Sequence, residues 1–574
     1  MTSRPRAWIV GAVGALALLL AGCGTATTPT SVAPPPNLKE LTLVGAVQSA
    51  PNWWFPILPA SVCSTLNADL STLLYLPLIH ISSTDGIDYS RSIASGIKVS
   101  QNDTVFTISL NPKWHWSNGN PVTANDVLYG WDIINAASQS NAPWLYCGAG
   151  IGGLPQDWKS VTAPNSTTVV VTTTKPVNPV WFEHNGIGQL IPIPVSVWKK
   201  HNNIDKELTF LNSVGNEPTS PLYSVVDGPY KIGTYVNDEY WTLLANPAYN
   251  GHKAQGPAKK LVFEYETSSA NVFAGERKGQ FDTAGVPDTY YKAAKTELKG
   301  YKMELAGYSF CFNYMVPNFS PTSPSGAIFD SLAVRQAMQM GIDQAAIIKD
   351  FDLGVAVPTY GPVPSVPKNQ YYDPNIPKYT FNIAAGKKLL ENHGWKMVNG
   401  VMTKGSQKLE FTWLVASGSN TVTHTAELIK ADWASEGIVA NIKEEPFNQV
   451  ISAVGQGPQA SKWSLAWWGG GWCYEPDYYP TGGGLFLPTS AANYGGYSSK
   501  TMDRLINATY GPATPAQAQK YLDAYQVWAA KDLPVLYLPT ATGYEVVKPW
   551  LHGVNANYNP VTTAEWFNRW TIGR

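Results

Sequence analysis

Residues 116–127 read WSNGNPVTANDV, and this stretch carries the most specific pattern in the chain. The residues before it, 104–110 (TVFTISL), alternate in polarity as a half-buried β-strand does. Within the stretch, residues 117–120 (SNGN) favour a turn, and Thr123 with Asp126 three positions later forms a capping box. We therefore predict a strand, a turn and a helix that follow one another directly.

A second run of local patterns predicts a βαβ unit. Residues 410–415 resemble a strand, 421–436 a helix and 438–443 another strand. Strand-like and helix-like segments alternate along the whole chain, so the predicted fold class is mixed α/β. Ligands of open α/β sheets bind beyond the carboxyl ends of the strands. The candidates for ligand contact in this unit are Ser417, Gly418 and Asn420.

The beginning of the chain predicts export and lipid anchoring. Two arginines precede an apolar run, residues 7–19, which is shorter than the about 20 residues that a membrane-spanning helix needs. Residues 20–23 (LAGC) resemble the lipobox of bacterial lipoproteins, which implies a signal peptide over residues 1–22 and diacylation of Cys23. Residues 23–37 then comprise the lipidated cysteine and a flexible tether. We expect the protein on the outer face of the cytoplasmic membrane, at the cell surface or in the periplasm.

Charge and composition argue against several classes of partner. The formal net charge is −1, and loss of the two arginines of the signal peptide makes it −3, so we expect no nucleic-acid partner. Histidines are not clustered and no Cys-x-x-Cys spacing occurs, so we expect no metal and no cofactor. The 22 Trp and 30 Tyr residues instead predict an aromatic binding surface.

Four cysteines remain once Cys23 carries lipid. They are Cys63, Cys147, Cys311 and Cys473. In an oxidising compartment two disulfides are the default, and four cysteines allow three pairings.

Five motifs in the order found here resemble the family 5 extracellular solute-binding proteins, the peptide- and nickel-type receptors of ABC importers. The most specific is residues 116–127, which resemble the family pattern W-x-D-G-x-P-x-T-A-x-D-V with Asn118 in place of Asp. The other matches are residues 228–230 (GPY) with 246–249 (NPAY), 279–282 (GQFD), 334–337 (VRQA) with 341–343 (GID), and 385–395 (AGKKLLENHGW, beginning at the second Ala of IAAG).

The resemblance implies a two-lobed periplasmic-binding-protein fold of type II, enlarged by an extra subdomain and hinged by crossing strands. The first lobe would comprise residues 38–312 and 534–574, with the extra subdomain near 86–214, and the second lobe residues 313–533. Crossings would lie near residues 306–316 and 533–546. In this arrangement we pair Cys63 with Cys147 and Cys311 with Cys473.

The glycine- and tryptophan-rich segment 467–479 (WWGGGWCYEPDYY) is the main candidate for ligand contact. Glycines let a ligand approach the backbone, and aromatic rings provide walls. Peptide-binding relatives carry an Asp four residues before a Pro, which pairs with the α-ammonium group, and Trp472 occupies that position here. The resemblance therefore implies that the peptide anchor is missing from its usual place, and that Glu475 or Asp477 supplies the charge only if the register of the loop shifts around Cys473. The candidates in this segment are Trp467, Trp468, Gly470, Trp472, Tyr474, Glu475 and Asp477.

A second aromatic cluster consists of Trp53, Trp54 and Phe55, just after the first predicted strand. Adjacent residues of an extended segment point to opposite faces, so two neighbouring tryptophans cannot both face a core. We therefore predict that at least one of them contacts the ligand.

The resemblance implies a binding protein that captures extracellular peptides between closing lobes and passes them to an ABC permease and its ATPase subunits. We expect a monomer. Aromatic planes also suit sugar rings, so an oligosaccharide receptor of the same fold is the alternative. A secreted hydrolase has less support, because the sequence has no G-x-S-x-G, no H-E-x-x-H, and no K-T-G partner for residues 95–98 (SGIK).

Overall fold

The computed structural model describes residues 42–47, 49–251 and 258–573. The predicted signal peptide, the tether and the lipidated Cys23 lie outside the described residues. Among the described helices, none has both the length and the apolar character needed to cross a membrane.

Strands and helices alternate along most of the described chain. The strands are β1 (Thr42–Val47), β2 (Ala94–Ser100), β3 (Val105–Leu110), β4 (Trp158–Asn165), β5 (Thr168–Thr173), β6 (Tyr230–Val236), β7 (Tyr240–Ala245), β8 (Lys260–Tyr265), β9 (Thr283–Val286), β10 (Lys302–Leu305), β11 (Cys311–Pro317), β12 (Lys396–Val398), β13 (Val401–Lys404), β14 (Gln407–Lys408), β15 (Glu410–Ala416), β16 (Val439–Glu445), β17 (Leu465–Trp467), β18 (Gly471–Cys473), β19 (Leu536–Leu538), β20 (Tyr544–Val547), β21 (Leu551–His552) and β22 (Thr571–Ile572). The α-helices are α1 (Thr65–Leu74), α2 (Ala124–Ala137), α3 (Pro179–Trp181), α4 (Val195–Trp198), α5 (Ile204–Val214), α6 (Ser269–Lys278), α7 (Tyr291–Glu297), α8 (Leu332–Met340), α9 (Gln344–Asp350), α10 (Ile383–Asn392), α11 (Asn420–Glu436), α12 (Phe447–Ala453), α13 (Gly483–Phe486), α14 (Lys500–Tyr510) and α15 (Pro515–Asp532).

The stretch 116–127 folds as its pattern predicts, from β3 through a turn into α2. Gly119 has φ +89°, which a glycine adopts without strain. Asp126 is buried, and its Oδ2 accepts hydrogen bonds from the Thr123 backbone N–H (2.8 Å) and from the Trp116 indole N–H (3.4 Å). Its Oδ1 accepts another from the Val195 N–H at 3.0 Å. One carboxylate thus joins the turn, the start of α2 and the start of α4.

Two large sheets organise the rest of the chain. The seven-stranded sheet has the order β10-β20-β9-β1-β8-β7-β6, and the second has the order β16-β15-β17-β11-β18 with β19 paired to β11. The chain passes between the sheets twice, through residues 306–310 and 539–543. These two connections touch, because the Ala306 N–H donates to the Gly543 carbonyl (2.9 Å) and the Thr542 hydroxyl donates to the Ala306 carbonyl (2.6 Å).

The predicted βαβ unit is confirmed as β15, α11 and β16, with β15 and β16 parallel in register from Glu410 opposite Val439. Helix α11 ends at Gly437, which has φ +85°. A separate four-stranded sheet, in the order β2-β3-β5-β4, lies within the range predicted for the extra subdomain.

Candidate functional site

A cavity of about 290 Å³ lies between residues of the first half of the chain and residues near β18 of the second sheet. One side is formed by one face of α1, the segment 77–81 and residues around Tyr146 and Gln189. The opposite side is formed by α12 and by residues of 468–476, a segment that contains the β17–β18 connection, β18 and the three residues after it. We call this the main cavity.

Aromatic rings form much of the second side of the main cavity. Trp468 packs edge-on against Tyr314, with ring centroids 5.3 Å apart, and against Tyr494 at 6.0 Å. Trp472 and Tyr478 also line the cavity and are buried. These contacts fix the rings in place, so the wall is preformed and suits apolar groups of a ligand.

Glu475 lines the main cavity, and a second carboxylate, Asp69, lies next to it outside the cavity lining. The Thr563 hydroxyl oxygen lies 3.1 Å from Asp69 Oδ1 and 3.3 Å from Glu475 Oε2, so one O–H faces two acceptors. Burial raises the pKa of Glu475 to about 8. Burial, with the negative charge of Glu475 as the second cause, raises the pKa of Asp69 well above its usual value.

The carboxylate pair has no cationic counterpart nearby. Among the ion pairs of the described residues, none involves Asp69 or Glu475. His80 also lines the main cavity, but burial and the neighbouring Arg91 lower its pKa to about 4, so its ring is neutral at pH 7. A positive group of a ligand would therefore meet Glu475 at the wall, with Asp69 beside it and no positively charged side chain among the described residues of the cavity lining.

Several buried polar atoms around the main cavity lack a hydrogen-bond partner among the described residues. Gln189 is 2% exposed, and its Oε1 has no hydrogen-bond partner. Nε1 of Trp472 and Oγ1 of Thr562 also have no partner. Buried polar groups normally have partners, since an unsatisfied one costs about 1–3 kcal/mol. These three residues line the cavity, but the unpaired atoms themselves are buried within its wall.

Both predicted cysteine pairs lie at bonding distance, with Cα atoms 5.7 Å apart for Cys63 and Cys147 and 4.0 Å apart for Cys311 and Cys473. The second pair joins directly opposed residues of β11 and β18. Cys63, Cys147 and Cys473 line the main cavity.

The structure separates the candidates of segment 467–479. Four of them, Trp468, Gly470, Trp472 and Glu475, line the main cavity. Two others are buried away from it. Asp477 Oδ1 accepts a hydrogen bond from Asn185 Nδ2 at 2.5 Å, and the Tyr474 hydroxyl donates to the Pro362 carbonyl at 2.6 Å. We therefore favour Glu475 over Asp477 as the charged contact.

The cluster Trp53, Trp54 and Phe55 belongs to the core rather than to the cavity wall. The premise that both tryptophans cannot be buried is wrong here, because Trp53 is 4% and Trp54 0% exposed. The N–H groups of Trp54 and Phe55 donate to the Gly215 carbonyl (2.8 and 3.3 Å), which fixes an irregular segment between packed layers on both sides. Trp54 packs edge-on against Tyr235, so the aromatic surface stabilises the fold.

The candidates of the βαβ unit lie at the carboxyl end of β15, as predicted, but none of the three lines the main cavity or the second cavity described next. Ser417 and Asn420 are exposed, and the Gly418 carbonyl accepts a hydrogen bond from the Ser269 N–H at 3.2 Å. Their neighbours Ser419 and Thr421 line a second cavity of about 320 Å³, together with Trp467.

Comparison with known proteins supplies the decisive observation. A model of the bacterial extracellular solute-binding proteins, family 5 Middle, matches residues 88–484, which is more than half of the chain. The chain belongs to this family. Its members are substrate-binding proteins, and the two-lobed periplasmic-binding-protein fold predicted from the sequence is confirmed.

Individual relatives of this family 5 protein include a probable ABC transporter-binding protein of Deinococcus radiodurans, 25% identical over 388 residues that cover 64% of this chain and 63% of that protein. The periplasmic oligopeptide-binding protein OppA of Salmonella typhimurium is 24% identical over 478 residues, 78% of this chain and 79% of that protein. The oligopeptide-binding protein AppA of Bacillus subtilis, solved with a nonapeptide, superposes with a TM-score of 0.79 at 18% identity and covers 94% of this chain and 100% of that chain.

Sequence reasoning missed Asp69, Gln189 and Thr563 in this family 5 protein. Asp69 and Thr563 are 494 positions apart and carry no local pattern that marks them. The one available signal was the odd placement of Asp69 in α1, whose neighbours Leu70, Leu73 and Leu74 form a buried stripe.

Proposed function

We propose that this protein is the peptide-binding receptor of an ABC importer. The observation that carries the proposal is Glu475 at the wall of the aromatic main cavity, with Asp69 next to it across the Thr563 hydroxyl and no ion pair to either carboxylate among the described residues. The α-ammonium group of a peptide has three N–H donors and one positive charge. It would pair with Glu475 and be stabilised further by the negative charge of Asp69, while apolar side chains pack against Trp468 and Trp472.

The size of the cavity limits the length of the peptide. The cavity volume of about 290 Å³ is at the lower end of the about 300–1,000 Å³ typical of ligand sites, so we expect a short peptide. Relatives described as oligopeptide-binding proteins support the same ligand class.

The remaining parts of the function follow from this proposal. Residues 38–312 with 534–574 form one lobe and residues 313–533 the other, and the ligand is enclosed when they close. Lipid on Cys23 holds the protein at the outer face of the cytoplasmic membrane, and the closed form delivers its peptide to the permease and ATPase subunits. Binding and release complete the cycle, so no catalytic step on the ligand is required.

The test is native mass spectrometry of the full chain, purified without refolding, with fragmentation of whatever dissociates. Peptide fragment ladders are the expected result. Hexose-spaced losses would instead identify an oligosaccharide receptor, in which Trp468 and Trp472 act as platforms for sugar rings. A Glu475→Gln variant should release less peptide than the wild type, and a Glu444→Gln variant should behave as the wild type, because Glu444 is exposed and outside the cavity.

A further inference from the structure

The second cavity, which we call the hinge cavity, has about 320 Å³ and lies beside the connection between the two sheets. Residues 539 and 541–543 of the return connection form one wall, and Asn313 of β11 contributes another. Alternate residues of segment 467–470 serve the two cavities, because Trp467 and Gly469 line the hinge cavity whereas Trp468 and Gly470 line the main cavity. The two cavities therefore lie on either side of this segment and share no described lining residue.

Two carboxylates line the hinge cavity, and each comes from an element beside a different large sheet. Asp288 follows β9 of the seven-stranded sheet, and Asp352 follows α9, which packs with the second sheet. Asp288 Oδ2 accepts a hydrogen bond from the Thr421 hydroxyl at 3.1 Å. Asp352 is only 6% exposed, and its carboxylate has no hydrogen-bond or ion-pair partner among the described residues.

A buried carboxylate without a partner is expensive, since the effective penalty for an isolated buried ion is several kcal/mol. No Lys, Arg or His lines the hinge cavity. Burial and the charge of Asp288 raise the pKa of Asp352 to about 7, which indicates that the two carboxylates lie within electrostatic reach of each other. The site therefore lacks positive charge.

The positive end of α11 does not meet this need. Ser419 and Thr421 at its beginning line the hinge cavity, but a helix N-terminus carries only about half an elementary charge. The Thr421 hydroxyl is already directed to Asp288. Two carboxylates outweigh that partial charge, and Asp352 receives no hydrogen bond from the helix.

We propose that the hinge cavity binds a small organic cation, with an ammonium or guanidinium group between Asp288 and Asp352. Both groups donate several hydrogen bonds and suit carboxylate acceptors. A bare metal ion fits less well, because no cluster of three or more metal-ligating side chains occurs among the described residues and the space exceeds that of one ion. The occupant would join the two sheets next to their connection and so favour the closed arrangement. This site does not depend on the peptide proposal.

The test is isothermal titration of the full chain with agmatine, which carries a guanidinium and an ammonium group. We expect one saturable site, at least tenfold weaker binding by Asp352→Asn, and unchanged binding by the control Asp350→Asn, whose side chain is exposed and two positions away. Glu475→Gln should also leave agmatine binding unchanged. A second variant, Ala541→Leu, keeps both carboxylates but fills the cavity from the connection, and should abolish binding.

Three outcomes would overturn the inference. The first is that agmatine does not bind, and the second is that Asp352→Asn binds it as tightly as the wild type. The third is that Ca²⁺ binds in its place and is lost in Asp352→Asn. Competition with a peptide separates the two proposals. If the peptide displaces agmatine, and if Glu475→Gln no longer binds agmatine, then agmatine occupies the main cavity. That result would refute the hinge site and leave the proposed peptide function standing.

Discussion

Replacing Glu475 by Gln should stabilise the empty protein and weaken peptide binding at the same time. Burial raises the pKa of Glu475 to about 8, compared with 4.5 for an unperturbed glutamate. Between these values the unfolded chain is ionised while the folded protein keeps the proton, so rising pH favours unfolding. The raised pKa of Glu475 should therefore reduce the free energy of unfolding only slightly below pH 4.5 and most strongly above pH 8.

The magnitude follows from about 1.4 kcal/mol per pH unit. The interval from 4.5 to pH 7 gives an upper bound of about 3 kcal/mol. Glu475 lines an open cavity and is only partly buried, so we expect Gln to raise the free energy of unfolding by about 1–2 kcal/mol at pH 7. Loss of a charge partner at a buried contact costs about 2–5 kcal/mol of binding, which is at least about thirtyfold in Kd.

The assay combines urea unfolding of the ligand-free protein with titration of a short peptide that has a free amino terminus. Glu444→Gln is the matched control, since Glu444 also accepts a hydrogen bond from a threonine hydroxyl but is exposed. Opposite changes in stability and affinity would identify Glu475 as a ligand contact. Wild-type affinity in the variant, or equal binding of an N-acetylated peptide by the wild type, would refute the reasoning.

Three further outcomes can be checked directly. Peptide affinity should rise by up to about tenfold per pH unit between pH 5 and 7, because below the pKa of Glu475 binding must displace its proton while the peptide's α-ammonium group stays charged, and a flat profile over this range at constant ionic strength would exclude the linkage. Trp54→Ala should cost about 3–5 kcal/mol in urea unfolding without changing peptide affinity, whereas Tyr521→Ala at an exposed position should cost far less. Peptide mapping without reductant should recover Cys311 linked to Cys473, and a free thiol at either position would contradict the pairing.

The local elements of this fold could be predicted from sequence because they depend on neighbours in the chain. The capping box at Thr123 and Asp126 and the alternation of β3 are complete within a few residues, so their patterns can be read directly. The failure at Trp53 and Trp54 has a physical cause. The alternation rule holds for a regular strand with one solvent face, but this segment is irregular and packed on both sides.

The site was predicted only in part. The glycines and aromatic residues of segment 467–479 marked it as a candidate, and four of its candidates line the main cavity, yet the sequence could not separate Glu475 from Asp477. That distinction depends on which acid meets Asn185 in the interior and which meets Thr563 at the cavity. Such partners are set by tertiary packing between distant parts of the chain.

The hydrogen bonds that join the two connections, residues 306–310 and 539–543, also determine how the lobes can move. Two independent connections would let one lobe slide, twist or bend against the other. Connections that are hydrogen-bonded to each other act as one two-stranded ribbon, which resists shear along its length but bends across its thin direction. Lobe motion should therefore reduce to rotation about a single axis through this ribbon, with the main cavity opening and closing like the space between two covers of a book.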